Sequence, residues 1–331
     1  MGEKEAEKMN VGLLDICNSV MDTYKIVKEG LRFDGEYINH FSSIIFGGEG
    51  KEINIEEIKK IRKYIKKMTS QLSNFRGDTL YMISILISKE ENPKLFSDKL
   101  ININENLQNI GFKDSPGLIL ASYAICKHGI NGLEDKIFNN TKLIYDLLRK
   151  EFKDITDEND YLICALLGIK CAKENEDARE TGEFVEYMFN YLLSLKHYSK
   201  NHLQMLATSV LLNENIESQF EVKDLIRTFR EHDMVVGDEF LSLVGAAGRN
   251  EDIQNYIFKV NEVIEYLCEE EGAYSYYMDK TFRVMIGISI IEFYNRRIDQ
   301  NYNKYLEELL AFSVYSFLLS RKQGLFEEAY V

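Results

Sequence analysis

One spacing returns seven times along the chain. Ile38-Phe41-Ser42-Ile45, Leu80-Ile83-Ser84-Ile87, Leu118-Ala121-Ser122-Ile125, Leu162-Ala165-Leu166-Ile169, Leu203-Leu206-Ala207-Val210, Leu241-Val244-Gly245-Gly248 and Arg283-Ile286-Gly287-Ile290 each fall at offsets of 0, 3, 4 and 7. That spacing is one face of an α-helix. The copies recur about every 40 residues, a period shown by helical-hairpin repeats, none of which can bury its own apolar face alone. The offset-four residue is small in six copies, and only Leu166 departs. A small side chain there lets a neighbouring helix come close.

Longer amphipathic stretches alternate with these short apolar ones. Ile58, Ile61, Ile65 and Met68 step by three and four, as do Phe96, Leu100, Ile103, Leu107 and Ile110, and further stretches cover 134–151, 177–196, 218–231, 251–270 and 303–321. The two prolines in 331 residues start helices. Asn92-Pro93 and Ser115-Pro116 each put a capping residue before a proline at the first helical position, where its missing N–H removes no internal hydrogen bond. The expected fold is all-α, with about seven helical-hairpin repeats wound into an open α-solenoid or a closed α/α-toroid. Each repeat reads as a short inner helix followed by a longer outer one. Residues 1–331 read as a single domain, because no linker rich in Gly, Ser or Pro interrupts them. A capping helix is expected at 9–30, repeats at 36–300, and a C-terminal helix at 303–321.

The formal charge of −14 argues against nucleic acid as a partner, since phosphate binding needs a basic footprint. Leu118–Cys126, Tyr161–Ile169 and Leu309–Leu319 are the longest apolar runs, short of the ~18 residues a membrane span needs. The opening MGEKEAEKMN has no apolar secretory core, so a cytoplasmic location is expected. Cysteines 17, 126, 164, 171 and 268 form no CxxC pair and are expected to be reduced core residues.

FRGDTLYMISILIS and its echo GFKDSPGLILASYAI follow LRFDGEYINHFSSIIF and the basic helix IKKIRKYIKKM. In pattern and order these segments resemble a bacterial family known as domain of unknown function 4003, over roughly residues 20 to 300. The resemblance carries no activity and no catalytic residues to transfer.

Candidate binding residues lie in the turns before inner helices. Phe75-Arg76-Gly77-Asp78, Phe112-Lys113-Asp114-Ser115 and Phe152-Lys153-Asp154 repeat an aromatic, a base and an acid. Read as a rim site, Arg76, Lys113 and Lys153 contact an anion, and Asp78, Asp114 and Asp154 orient it. Read as architecture, the aromatic plugs a hairpin corner, the base faces the negative end of one helix and the acid caps the next. Tyr274 and Tyr277, after Glu269-Glu270-Glu271, would suit a sugar or a cation at a ring mouth, or would pack the last hairpin. Lys59, Lys60, Arg62, Lys63, Lys66 and Lys67 form a basic face opposite the Ile58-Ile61-Ile65-Met68 stripe; it reads as an anion-binding surface or a solvated helix face.

His197, His202, Cys126, His128, Cys164 and Cys171 make no compact ligand motif, so no metal is expected, and no cofactor is implied. Gly47-Gly48-Glu49-Gly50 lacks the Gly-Lys-Ser/Thr ending of a P-loop, and there is no GxSxG or HExxH. The reading therefore leans away from an enzyme. It favours a repeat protein that binds a protein or peptide along its inner-helix surface; the alternative is a toroid enzyme or small-molecule binder with a central cavity. A monomer or a homodimer is expected, the latter through LLAFSVYSFLL.

Overall fold

The computed structural model of the protein describes residues 9–213, 216–247, 252–300 and 302–328. Among these residues the chain is all-α, with no strand. Its helices are α1 (Val11–Gly30), α2 (Glu36–Glu49), α3 (Ile55–Met68), α4 (Gly77–Ile87), α5 (Pro93–Asn109), α6 (Pro116–His128), α7 (Glu134–Glu151), α8 (Tyr161–Glu174), α9 (Ala178–Leu192), α10 (Lys200–Ser209), α11 (Ile216–Glu231), α12 (Leu241–Ala246), α13 (Ile253–Glu270), α14 (Lys280–Ile298) and α15 (Leu306–Glu328). Both prolines sit in the first turn of a helix. Ser115 Oγ accepts from the Leu118 amide at 3.1 Å, and Asn92 Oδ1 from the Leu95 amide at 3.1 Å. None of the described helices is long and apolar enough to cross a membrane.

The seven repeated motifs fall on the even-numbered helices α2 to α14, with Gly248 of the sixth copy outside the described residues. Each even helix packs on the odd helix before it, so every pair runs outer then inner, the reverse of the expected order. The first helix is therefore the outer member of the first pair, and it also packs on α13 and α14. Neighbouring inner helices pack in succession from α2 to α12, and α14 packs back on α2. Between α12 and α14 the link is aromatic: Phe240, just before α12, lies edge-on to Phe282 at 6.0 Å. The circuit of neighbours closes.

Three of the small offset-four residues, Ser84, Ser122 and Gly287, face the outer helix of their own pair, whereas Gly245 faces α10, where a Cβ would collide with Ser209 Oγ. Ser84 accepts from Arg62 Nε of α3 at 2.9 Å and Ser122 from Asn104 of α5 at 3.3 Å, while a Cβ on Gly287 would lie 3.0 Å from Val260 and Ile264 of α13. Where Leu166 breaks the pattern, the close approach moves to Gly168. A Cβ there would come within 2.5 Å of Thr141 Oγ1 and 2.9 Å of the Thr141 amide nitrogen on α7. Gly168→Val is expected to lower unfolding free energy by about 1–3 kcal/mol through overpacking. Urea unfolding measures it, and an unchanged midpoint would show that α7 and α8 are not in close contact.

Helix α15 runs through the middle of the circuit, packed on α2, α4, α6, α12 and α14. Its first turn meets the C-terminal ends of the inner helices: Glu307 pairs with Lys89 at 2.8 Å, Lys127 at 3.1 Å and Arg296 at 2.7 Å, and Glu308 with His128 at 2.9 Å. Its far end meets their starts, where Lys322 pairs with Asp78 and Arg321 lies 3.6 Å from Asp279. It is thus antiparallel to the inner helices. In between, Leu306, Leu309, Leu310, Phe312, Val314 and Phe317 are buried. At about 1.5–3 kcal/mol for each fully buried apolar side chain, their gross burial contributes on the order of 10 kcal/mol.

Two expectations are corrected by this placement. The expected C-terminal helix lies at the centre of the molecule, with Leu309, Leu310, Phe312, Val314 and Phe317 buried, so LLAFSVYSFLL offers no apolar face to a second copy. The inner-helix surface is covered by α15. A partner reaching that surface would have to replace the whole of this burial.

Candidate functional site

The predicted rim residues are mostly used in joining one turn to another. Arg76 lies back over the end of α3, its guanidinium donating to the carbonyls of Thr69 at 3.0 Å and Ser70 at 2.8 Å and to Thr69 Oγ1 at 2.8 Å. That is C-terminal capping by a cation. Asp78 accepts from Lys322 of α15. Asp114 takes the Asn74 side-chain amide on its carbonyl at 3.1 Å, and Lys113 pairs with Glu158 at 2.7 Å. The same stitch recurs further round, where the Ser199 amide donates to Asp238 at 2.9 Å. Lys153 and Asp154 are exposed. These residues share a rim without converging on a common cavity.

Tyr274 is buried against His40, ring centroids 5.0 Å apart and edge-on, and His40 stacks flat on Tyr24 at 4.0 Å. Burial pushes the Tyr274 phenol up and, with help from Lys28, the His40 imidazole down to about 3. Neither His40 nitrogen has a hydrogen-bond partner among the described residues. The Tyr277 side chain lies outside them. On the basic helix Arg62 is not on the solvent face: it is buried in a two-point pair with Asp34 at 2.5 and 2.8 Å, over the Tyr81 ring. Among the described residues no His, Cys, Asp and Glu side chains gather as a metal site. Four of the five free cysteines are buried, and burial holds the Cys17 and Cys126 thiols up to about 12.

What the structure does leave open is a groove of about 1130 Å³ on the outside of the ring, between α8, α9 and the start of α11. Leu167 and Leu211 form its floor, and Phe184 and Phe220 stand in its walls. Tyr187, exposed, stacks on Phe184 at 5.6 Å and meets Phe220 at 6.4 Å, which extends the apolar surface along α9. The Tyr191 hydroxyl donates to the Phe220 carbonyl at 2.9 Å and so ties α9 to α11.

The head of the groove is acidic because the α8–α9 turn reads Glu174, Asn175, Glu176, Asp177 and is followed by Glu180. Asn175 makes the turn in the left-handed region, at φ 57°, and Asp177 caps α9 through the Arg179 amide at 2.7 Å. One cation, Lys170, serves both Glu174 at 3.3 Å and Glu176 at 3.0 Å. Burial alone would lower its ammonium, but the two glutamates hold it above its ordinary value. The groove therefore joins an apolar floor with aromatic walls to a surplus of negative charge. Its sequence signal was visible in Phe184, Tyr187 and Tyr191 at helical spacing, but their meeting with Phe220 depends on the α9–α11 packing.

No curated protein and no solved structure matches the chain. The pattern of the family described as Protein of unknown function (DUF4003) matches residues 23–323, from within α1 to within α15, so helices α2 to α14 and the groove fall inside the matched span. This chain belongs to the DUF4003 family.

Proposed function

We propose that the protein is a binding protein and that its partner is a peptide segment, or a protein presenting one, seated in the α8–α9–α11 groove. The observation that carries this reading is the joining of the apolar floor to the acidic head, a combination suited to an amphipathic segment with an aliphatic or aromatic anchor and a basic end. It moves the expected partner from the inner helices, where α15 lies, to the outside of the ring.

A helical peptide of Leu with Lys and Arg, and its counterpart with Glu in place of the bases, test this by fluorescence anisotropy. The basic peptide is expected to bind and the acidic one not. Glu174→Lys with Glu180→Lys is expected to weaken binding by more than about tenfold, since a charged hydrogen bond is worth about 1.5–3 kcal/mol, and added salt is expected to weaken it further. Equal binding of the two peptides would refute the assignment.

A further inference from the structure

The stretch from Ile58 to Gly77 holds no Asp or Glu, yet it carries Lys59, Lys60, Arg62, Lys63, Lys66, Lys67 and Arg76. In the structure these cations divide into two groups. Arg62 is engaged by Asp34 and Arg76 by the end of α3, while Lys59 and Lys60 pair with Glu56 and Glu57, one turn earlier, at 3.1 and 3.5 Å. Lys63, Lys66 and Lys67 are exposed and have no ion-pair partner among the described residues. At helical spacing they fall on one side of α3, away from the buried Ile58, Ile61 and Ile65.

The turn that follows adds an apolar anchor. Leu72 is 95 % exposed, the most exposed of the large apolar side chains among the described residues, and Met68 beside it is half exposed. The turn is held in place, because Arg76 binds the Thr69 and Ser70 carbonyls. Glu105 and Asp114 line the small cavity between this turn and α5, so the positive charge lies on the α3 side of the projection.

An apolar anchor beside a basic flank is what the α8–α9–α11 groove is suited to receive. Its head carries Glu174, Glu176, Asp177 and Glu180 with Lys170 as the one cation of the lining, and Phe184 and Phe220 stand beyond. Asp177 and Phe184 are seven residues, about 10 Å, apart along α9; Lys67 and Leu72 are five residues apart, no more than about 18 Å even if extended, and closer in the folded turn. The two charge-to-anchor spacings agree. A chain cannot fill its own groove in this way, since α3 belongs to the second helix pair of the circuit, packed on α4 and α5, and the groove to the fourth to sixth.

We propose that the groove receives the α3–α4 turn of a second copy of this chain, with Leu72 entering between Phe184 and Phe220 and Lys63, Lys66 and Lys67 facing the acidic head. The proposal deepens the peptide reading and rests on it. The two surfaces differ, so the contact is head-to-tail, and each bound copy still presents a free turn or a free groove; association continues past the dimer.

Sedimentation velocity of the full chain over about a hundredfold range of concentration tests this, with a sedimentation coefficient that climbs beyond the dimer as the expected result. Lys66→Glu with Lys67→Glu, or Glu174→Lys with Glu180→Lys, is expected to weaken self-association by about tenfold or more, on the scale of lost charged contacts. Mixing these two charge-reversed chains is expected to restore it, because each surface then meets its opposite. Leu72→Ser is expected to weaken it without rescue by mixing, and the basic peptide to dissolve it by competition. A monomer at every concentration, a dimer that grows no further, or association untouched by the groove variant would overturn the proposal. A monomer that still binds the basic peptide would overturn it while leaving the groove reading in place, with a different protein as partner.

Discussion

Glu307→Leu is expected to cost about 3–5 kcal/mol of unfolding free energy, the range for removing one member of a buried ionic group. The reason is arithmetic of charge. Glu307 is almost fully buried and holds Lys89, Lys127 and Arg296 within 3.1 Å. Burial alone would raise its carboxyl, yet Lys127, Lys89 and Arg296 keep it well below the usual carboxylate range. Without it, Lys89 and Arg296 are left to share Glu49, and Lys127 is left to Glu308, in a poorly solvated mouth. Lys89→Met combined with Glu307→Leu is expected to cost less than the two single changes added together, because the second change removes a charge that the first left unpaired. Urea unfolding of the four proteins closes the cycle; strict additivity would show that Lys89 and Glu307 do not act as a pair. Glu308, held to about 2 against the opposing effect of burial chiefly by Lys127 and His128, adds an acid limb. Its folded value lies below the ordinary 4.5, so its contribution is present above 4.5 and is lost as pH falls toward 2.

The second large effect comes from His40. Its imidazole is held to about 3 against an ordinary 6.5, so the unfolded chain takes up a proton at a pH where the folded chain does not. Stability at this position is complete above 6.5 and falls with pH until about 3. At about 1.4 kcal/mol per pH unit the loss reaches on the order of 5 kcal/mol. His40→Phe, which keeps a ring on Tyr24, is expected to flatten the dependence between pH 6.5 and 4.5, above most carboxylate titration. Denaturant unfolding at several pH values measures this. Parallel profiles for the two proteins would mean that His40 accepts its proton in the folded state.

The repeat was legible because offsets of 0, 3, 4 and 7 encode a helix face directly, and because Ser115-Pro116 and Asn92-Pro93 mark helix starts through local chemistry. The order within each pair was misread. Val20 of α1 packs on Gly47 of α2 so tightly that a Cβ on Gly47 would lie 2.6 Å from the Val20 Cα, and nothing in either segment's own pattern says which neighbour takes that contact. The role of α15 was hidden for a similar reason: an apolar run reads alike whether it covers a stack or fills it. Glu307 and Glu308, two acids opening that run, were the available sign that its first turn would meet cations. The rim motif recurs in the sequence, but in the structure Arg76 and Asp114 are engaged by neighbouring turns. The groove was only half legible, because the spacing of Phe184, Tyr187 and Tyr191 does not say that they meet Phe220, and the cationic mouth around Glu307 was illegible because it joins helices distant in the chain, with Gly48 and Arg297 among its residues.

The passage of α15 through the ring also imposes an order on biosynthesis. Every wall of the interior, from α1 to α14, leaves the ribosome before the helix that fills it. Until residues 306–317 arrive, the nascent ring has an apolar lining and a mouth of Lys89, Lys127 and Arg296 without Glu307. Completion of the core therefore waits for α15, and the interval before it is when the nascent ring is most exposed to chaperones and to aggregation.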